Sequence, residues 1–140
     1  VGDVESVDLK SLRGGFDALI ISEVLEHLTD PWKTLHRLSE CLKPGGTVIA
    51  SSPNVAHWSV IRGLLGGRFA YTDSGMMDRT HLRWFTPQSY RALFESAGLE
   101  VMHVLPATPL RRKARIFDSL TGGRWRHLLH TQTLVVARRP

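Results

Sequence analysis

Cysteine is nearly absent from the 140-residue sequence, and long apolar runs are absent altogether. The single Cys41 cannot form an internal disulfide, so nothing supports a secreted fold stabilised by disulfides. One cysteine is compatible with the reducing cytoplasm. No segment reaches the ~20 consecutive apolar residues that span a bilayer. Asp3, Glu5 and Asp8 stand where a signal peptide would be basic and then apolar. The sequence therefore predicts a single soluble domain in the cytoplasm.

Acidic residues are scarce at the C-terminal end. Residues 111–140 carry eight Arg and Lys and one acid, whereas residues 1–110 carry ten bases and twelve acids. Clustered positive charge suits phosphate, an anionic lipid surface or nucleic acid. Residues 110–130 mix these cations with Ile, Phe, Leu and Trp, which allows contact with an anionic membrane face. The alternative is a helix that covers the sheet and keeps its charges in water.

Two short apolar runs, residues 16–22 and 47–51, predict buried strands. Between them, Asp30-Pro31 provide an N-cap and a first helical residue for a helix over 31–42, which Pro44 and two glycines should end. Strand, helix and strand with short connections form a right-handed βαβ unit. The fold class is therefore α/β, with a mostly parallel sheet and helices on both faces.

Further elements follow the βαβ unit. A brief helix should end at Gly66-Gly67, and another should begin at Thr86-Pro87. Residues 99–105 and 132–137 predict two more strands. The polar connection over 68–85 has no regular periodicity, and connections of that length inside domains are usually functional.

A chain of motifs gives the sequence a family resemblance. The resemblance rests on these features in order: FDALIISEVLEHL, a capped helix, LKPGG, a strand ending in SSPN, and GRFAYTDSGMMDRTHLRWFTPQSYRALFESAGLEV. With them the sequence resembles the second half of a class I S-adenosylmethionine-dependent methyltransferase of the bacterial methyltransferase-domain type. The resemblance implies a partial Rossmann-like fold, in which the four strands correspond to strands 4, 5, 6 and 7 of the family. Their spatial order would be 4-5-7-6, with the last strand antiparallel.

The family's N-terminal half has no counterpart in the sequence. No glycine-rich turn follows a buried strand, although a nucleoside cofactor needs close backbone approach at such a turn. We therefore interpret residues 1–140 as a single incomplete methyltransferase domain. In the family the first strand pairs with the fourth, so residues 16–22 should form an exposed edge that could pair with a second copy to form a homodimer.

The resemblance also implies cofactor contacts for S-adenosylmethionine. Asp3 would accept a hydrogen bond from the adenine amino group, and Val4 would offer its backbone amide and pack on the ring. The alternative for Asp3 is an ordinary surface acid. Ser22 and Glu23 would lie at the carboxyl end of a strand, where open α/β sheets place their ligands.

Candidate catalytic and substrate-binding residues follow from the chemistry of methyl transfer. A hydroxyl acceptor benefits from a nearby base, and imidazole is the side chain suited to that role near neutral pH, which selects His27 and His81. Four further residues follow a strand end or lie in the long connection and could line the acceptor pocket: His57, Tyr71, Arg79 and Arg83.

A divalent metal is an alternative use of the same region. Glu23, Glu26 and His27 fall at i, i+3 and i+4, so a helical turn would place them on one face, with His81 available from the long connection. This set resembles the metal-binding motif of small-RNA 2'-O-methyltransferases and some ubiquinone-pathway O-methyltransferases. We favour the interpretation that Glu26 and His27 line the pocket without a metal.

The predicted function is S-adenosylmethionine-dependent methyl transfer to an acceptor nucleophile. The expected acceptor is a hydroxyl of a small molecule, a saccharide or a lipid-linked precursor, and RNA stays open as an acceptor. The alternative function is a non-catalytic, methyltransferase-like module for binding or regulation.

Overall fold

The computed structural model describes residues 2–140 and contains one four-stranded mixed sheet. The strands are β1 (Phe16–Ser22), β2 (Leu42–Pro53), β3 (Glu100–Pro106) and β4 (Gln132–Arg138), in the spatial order β1-β2-β4-β3. β1 and β2 are parallel, and β4 is antiparallel to both of its neighbours. The predicted α/β class and strand order are confirmed. Three strands share one direction, yet only one of the three pairings is parallel.

Within residues 2–140 there are four α-helices and three short 3-10 turns, of which all but the first turn lie between strands. The helices are α1 (Pro31–Ser39), α2 (Trp58–Leu65), α3 (Pro87–Ser96) and α4 (Arg112–Leu120); the turns are Lys10–Leu12, Leu25–His27 and Arg126–Leu128. In the part of the chain that the structure describes, none of the helices has the length and apolarity needed to cross a membrane.

Local sequence explains where the helices begin. The Asp30 side chain accepts a hydrogen bond from the Lys33 amide at 3.0 Å, and Pro31 occupies the first position of α1. Thr86 and Ser89 form a reciprocal capping box at the start of α3. These caps satisfy amides that would otherwise lack a partner, so both predicted starts are confirmed.

The predicted end of α1 at residue 42 is wrong. The helix ends at Ser39, and the fully buried Leu42 already belongs to β2. The amide of Phe16 donates to the Cys41 carbonyl at 3.1 Å, so pairing with β1 overrides the helical spacing of Leu38 and Leu42. The glycines of LKPGG then form a bulge in the strand, where a Cβ on Gly46 would approach the Lys43 carbonyl oxygen to 2.9 Å.

The hydrophobic core lies between one face of the sheet and helices α1 and α3. The core side chains come from both layers: Ile21, Leu25, Leu28, Leu35, Leu42, Val48, Ala50, Phe85, Tyr90, Leu93, Phe94, Ala97, Leu99, Val135 and Ala137. On the opposite face Ile20, Ile49 and Leu105 stay exposed. Helices were expected on both faces; α1 and α3 pack on the same one because both crossovers return to that side.

Strand β1 lies at the edge of the sheet, as the sequence predicted. Its outward side chain Ile20 is 79% exposed, and the strand contains neither proline nor lysine to discourage pairing. We expect the 140-residue chain to dimerise or aggregate through this edge. Ile20→Lys should shift the population to monomer in size-exclusion chromatography with light scattering, because a charge at an edge opposes strand addition.

The matched control is Leu65→Lys, which places the same charge on an exposed leucine of α2, away from the sheet edge. This variant should associate like the parent chain. A monodisperse parent monomer, with the amides of residues 18–21 as protected from hydrogen exchange as those of residues 48–50, would contradict the prediction.

Candidate functional site

Three polar side chains meet where β1 and β2 end. The Ser51 hydroxyl donates to a Glu23 carboxylate oxygen at 3.1 Å and lies 3.2 Å from the Ser22 hydroxyl. Glu23 has a φ of 52°, in the left-handed region that non-glycine residues rarely adopt, and its amide donates to the Ser51 carbonyl at 3.2 Å. Strain of this kind concentrates at ligand sites and persists only where surrounding contacts enforce it.

Glu26 lies in the 3-10 turn that follows β1, and its side chain is 1% exposed. Within residues 2–140 neither of its carboxylate oxygens has a hydrogen-bond partner. Burial raises the pKa of this carboxyl from 4.5 to about 7, and the negative charge of nearby Glu23 adds to the rise. A buried carboxyl without partners is costly, so its presence after a strand makes Glu26 a candidate functional residue.

The two candidate catalytic histidines lie together. The rings of His27 and His81 meet edge to face with centroids 4.8 Å apart. Nδ1 of His27 lies 3.2 Å from the Thr80 carbonyl oxygen, while His81 is buried and its Nδ1 has no partner among the described residues. The structure therefore brings together residues that are 54 positions apart in the sequence.

The long connection reaches this site through backbone hydrogen bonds. The amides of Leu82 and Arg83 both donate to the Glu26 carbonyl, at 2.8 and 2.9 Å. These bonds hold the connection against the 3-10 turn, and His81 is the residue just before them. The sequence predicted a functional connection, but it did not predict these hydrogen bonds to the Glu26 carbonyl.

Glu26, His27 and His81 also form a potential metal-binding group, because their ligating atoms all lie within 4.8 Å of one another. Glu23, the fourth predicted ligand, is not in this group, since its carboxylate accepts from Ser51. The expected helical i, i+3, i+4 face does not form. The left-handed backbone at Glu23 leaves that residue outside the turn Leu25–His27.

The predicted adenine contacts lie in an N-terminal turn that packs beside α1. Asp3 is exposed, its carboxylate accepts from the Glu5 amide at 2.9 Å, and Val4 packs against the core. The turn is anchored because the Glu5 carboxylate accepts from the amides of Thr29 and Asp30, at 3.0 and 2.7 Å, which lowers the pKa of Glu5. Sequence reasoning missed Glu5, whose only local signal was its acidity.

The remaining predicted substrate residues are not brought to one place. His57 caps α2: its Nδ1 lies 2.8 Å from the Ser59 hydroxyl and accepts from the Ser59 amide, and burial lowers its pKa. It also lines a cavity of about 480 Å³ whose other walls include Arg111 and His130. His57 therefore has a structural role in addition to any contact with an acceptor.

Tyr71, Arg79 and Arg83 lie along the long connection. Tyr71 is 54% exposed and packs edge to face with Phe69 and at a tilt with Trp84 in an aromatic cluster. Arg79 forms an exposed ion pair with Asp73 at 2.5 Å. Arg83 donates to the carbonyls of Leu82 and Thr29, so it holds the loop that leads into α1.

A second cavity, of about 460 Å³, lies between α2 and the long connection. Arg62 and Arg68 line it together with Phe69 and Met77, and neither guanidinium forms an ion pair within the described residues. Sequence reasoning did not single out these arginines, because nothing in their spacing distinguishes them from a solvated face.

The sheet order β1-β2-β4-β3 with an antiparallel last strand defines a Rossmann-like α/β fold. The polar side chains at the ends of β1 and β2 form the candidate ligand site, because open α/β sheets bind ligands at the carboxyl ends of their strands. The chain belongs to the methyltransferase-domain family, whose sequence profile matches residues 2–104.

Relatives of known sequence and structure agree with this assignment. The chain is 31% identical over 108 residues to the ubiquinone biosynthesis O-methyltransferase of Dinoroseobacter shibae, covering 76% of this chain and 40% of that protein. It therefore spans about 40% of the length of this curated relative. An S-adenosylmethionine-dependent methyltransferase from Mesorhizobium loti shares the fold with a TM-score of 0.59 at 18% identity, over 99% of this chain and 68% of that one.

A Haemonchus contortus phosphoethanolamine N-methyltransferase in complex with S-adenosyl-L-methionine also shares the fold. Its TM-score is 0.57 at 19% identity, over 91% of this chain and 34% of that chain. S-adenosyl-L-methionine is the group bound in that neighbour, and the residues of this chain fit part of it. Ser22 and the strained Glu23 lie at the ligand edge, and Asp3 offers an exposed carboxylate. Residues 2–140 contain no glycine-rich turn after a buried strand for the amino-acid end.

Proposed function

We propose that the protein containing this chain transfers a methyl group from S-adenosylmethionine to a hydroxyl of a small molecule. The observation that carries the proposal is the pair of imidazoles, His27 and His81, beside the buried carboxyl of Glu26. The similarity to an O-methyltransferase of ubiquinone biosynthesis supports a hydroxyl acceptor. A saccharide or lipid-linked hydroxyl fits the same chemistry.

The chain's own residues would position the acceptor and move its proton. S-adenosylmethionine, when bound, supplies an electrophilic methyl group on a sulfonium centre. The transfer needs in-line alignment more than acid catalysis, since the thioether leaves without a proton. His27, which is exposed and oriented by Thr80, can accept the hydroxyl proton, and buried His81 holds the neighbouring ring in place.

The test of this proposal is the methyl-transfer rate of histidine variants. With catechol as a model small-molecule hydroxyl acceptor, His27→Ala in the full-length protein should lower kcat about 10²- to 10⁴-fold, the range that general-base catalysis supplies, with a smaller change in KM. The assay follows transfer of a radiolabelled methyl group. His36→Ala, at an exposed histidine of α1, is the matched control and should retain the parent rate. Parent-like kcat in both His27→Ala and His81→Ala would refute the catalytic assignment and favour the non-catalytic binding module.

A divalent metal at Glu26, His27 and His81 is a second candidate. Two carboxylate oxygens and one imidazole nitrogen in this group lack protein partners within residues 2–140, as expected of ligand atoms. Donors about 2.1 Å from an ion lie within about 4.2 Å of one another. The ligating atoms of Glu26, His27 and His81 lie within 4.8 Å of one another, so small side-chain rotations would bring them to this separation. With open positions, the ion would orient the acceptor oxygen and favour its deprotonated form.

We expect a chelator to abolish activity if this metal is required, and Mg²⁺ or Mn²⁺ to restore it. Glu26→Gln should weaken Mn²⁺ binding, measured by calorimetry, by tenfold or more, because the ion loses its only anionic ligand in the group. Glu95→Gln, at an exposed glutamate of α3, is the control and should bind like the parent. Full activity in chelator would exclude the metal and leave His27 as the base.

A further inference from the structure

Helix α4 presents its large apolar side chains to solvent instead of to the protein. Ile116 is 51% exposed, Phe117 45% and Leu120 82%. At 3.6 residues per turn these three side chains fall within a sector of roughly 100°. Asp118 projects from the opposite side of the helix and is 7% exposed. A surface helix normally buries its apolar stripe, so the orientation of α4 is the reverse of the ordinary one.

An ion pair fixes this orientation. Nε and Nη2 of Arg126 both donate to the Asp118 carboxylate, at 3.0 and 2.8 Å to Oδ2, which raises the pKa of Arg126. The Asp118 carbonyl also accepts from the Gly123 amide at 2.8 Å. The one acid of residues 111–140 is therefore neutralised on the inner side, and the outward face of α4 carries no negative charge.

Free cations lie on and beside the outward apolar side chains. We define the α4 surface as Ile116, Phe117, Leu120 and Trp125 with three exposed cations, which are Arg112, Lys113 and Arg124. In residues 2–140, none of these three cations forms an ion pair with a carboxylate. Arg124 lies over the Trp125 ring, 5.8 Å from its centroid, and that ring is 40% exposed.

We propose that the α4 surface docks on an anionic lipid bilayer, with α4 lying in the plane of the interface. The aliphatic and aromatic side chains would enter the headgroup region, while Arg and Lys reach the lipid phosphates along their flexible stems. Tryptophan is favoured at this depth because its ring is apolar and its N–H is polar. The proposal concerns binding alone and is independent of methyl transfer.

Charge and apolarity together select a bilayer over nucleic acid. A nucleic-acid surface would need cations and stacking rings, and it gains nothing from an aliphatic side chain as exposed as Leu120. A bilayer interface uses both kinds of side chain. Each Lys or Arg near an anionic surface strengthens binding about fivefold, so three unpaired cations strengthen it about a hundredfold.

The experiment is flotation of the full 140-residue chain with vesicles, after clearing of self-associated material by centrifugation. The chain should bind vesicles of phosphatidylcholine and phosphatidylglycerol, and it should bind pure phosphatidylcholine at least tenfold more weakly. Arg112→Glu with Lys113→Glu should weaken binding to the anionic vesicles by about thirtyfold or more. Acidic residues stabilise the first turn of a helix, so α4 should stay folded in this variant.

Two further variants decide the interpretation. Lys10→Glu with Lys33→Glu changes the net charge equally at exposed positions outside the α4 surface, and it should bind like the parent chain. Leu120→Ser should weaken vesicle binding several-fold with an unchanged thermal melting curve. Equal binding to neutral and anionic vesicles would overturn the proposal. So would equal losses in the two charge-reversal variants, or binding to single-stranded RNA without binding to vesicles.

Discussion

The 140-residue chain is expected to bind S-adenosylmethionine with a dissociation constant in the millimolar range or weaker. The end of β1 in residues 2–140 offers Ser22 and Glu23, and Asp3 is the residue predicted to hold the adenine, but no glycine-rich turn is present for the amino-acid end. A charged hydrogen bond contributes about 1.5–3 kcal/mol, so two or three missing contacts weaken a micromolar site about a thousandfold. Calorimetric titration measures this constant directly.

Variants would locate whatever cofactor binding the chain retains. Asp3→Ala should remove residual affinity if its carboxylate holds the adenine amino group. Asp8→Ala is the matched control, because Asp8 is an exposed acid in the same segment whose carboxylate accepts only from the nearby Lys10 amide among the described residues. A micromolar constant for the parent chain would contradict the prediction and show that the present residues suffice.

Glu26→Gln should stabilise the fold at alkaline pH and not at acid pH. The pKa of Glu26 in the folded state is about 7, above the ordinary value of 4.5, so the folded state holds the proton more tightly between these values. Protonated Glu26 therefore contributes to the free energy of unfolding in full below about pH 4.5, and this contribution is lost as pH rises through about 7. A shift of this size corresponds to about 3 kcal/mol, and the neutral amide avoids that loss.

Urea denaturation at pH 5 and pH 8, in the presence of a chelator, measures this effect. The free energy of unfolding of Glu26→Gln, relative to the parent, should be about 2–3 kcal/mol higher at pH 8 than at pH 5. Glu95→Gln removes an exposed carboxylate that pairs with Arg91 at 2.7 Å, and it should change stability by less than about 1 kcal/mol at both pH values. A parallel pH response of the two variants would show that Glu26 is not the titrating group.

Most of the framework could be predicted because its signals are local. The strand over residues 16–22, the Asp30-Pro31 cap and the Thr86 cap depend on neighbouring residues, and the structure confirms all three. The prediction that the strand is buried is wrong, because β1 lies at the sheet edge and Ile21 is its only buried residue. The end of α1 could not be predicted in the same way. Leu42 continues the helical spacing, yet it is fully buried in β2, where pairing with β1 satisfies the backbone.

The residues of the candidate site also differ in whether local sequence or tertiary contacts place them. The sequence by itself determined that Glu23, Glu26 and His27 follow a strand that ends at Ser22, and open α/β sheets place their ligand-binding residues at such an end. Only the tertiary structure decided that His81 packs against His27, because hydrogen bonds from the long connection to the Glu26 carbonyl bring it there. These bonds join distant segments, which no local pattern encodes.

The same distinction applies to the basic segment 111–140 and to the acidic residue Glu26. Sequence composition determined that residues 111–140 are basic, and it favoured a helix that covers the sheet with its apolar face, which is wrong for α4. The tertiary structure decided that Ile116 and Leu120 face solvent, because the Asp118–Arg126 ion pair occupies the inner side of α4. It likewise decided that Glu26 is buried without a partner, which turns an ordinary acid into one that titrates near pH 7. In both cases burial, a property of the whole fold, sets the chemistry of a residue whose type the sequence had already given.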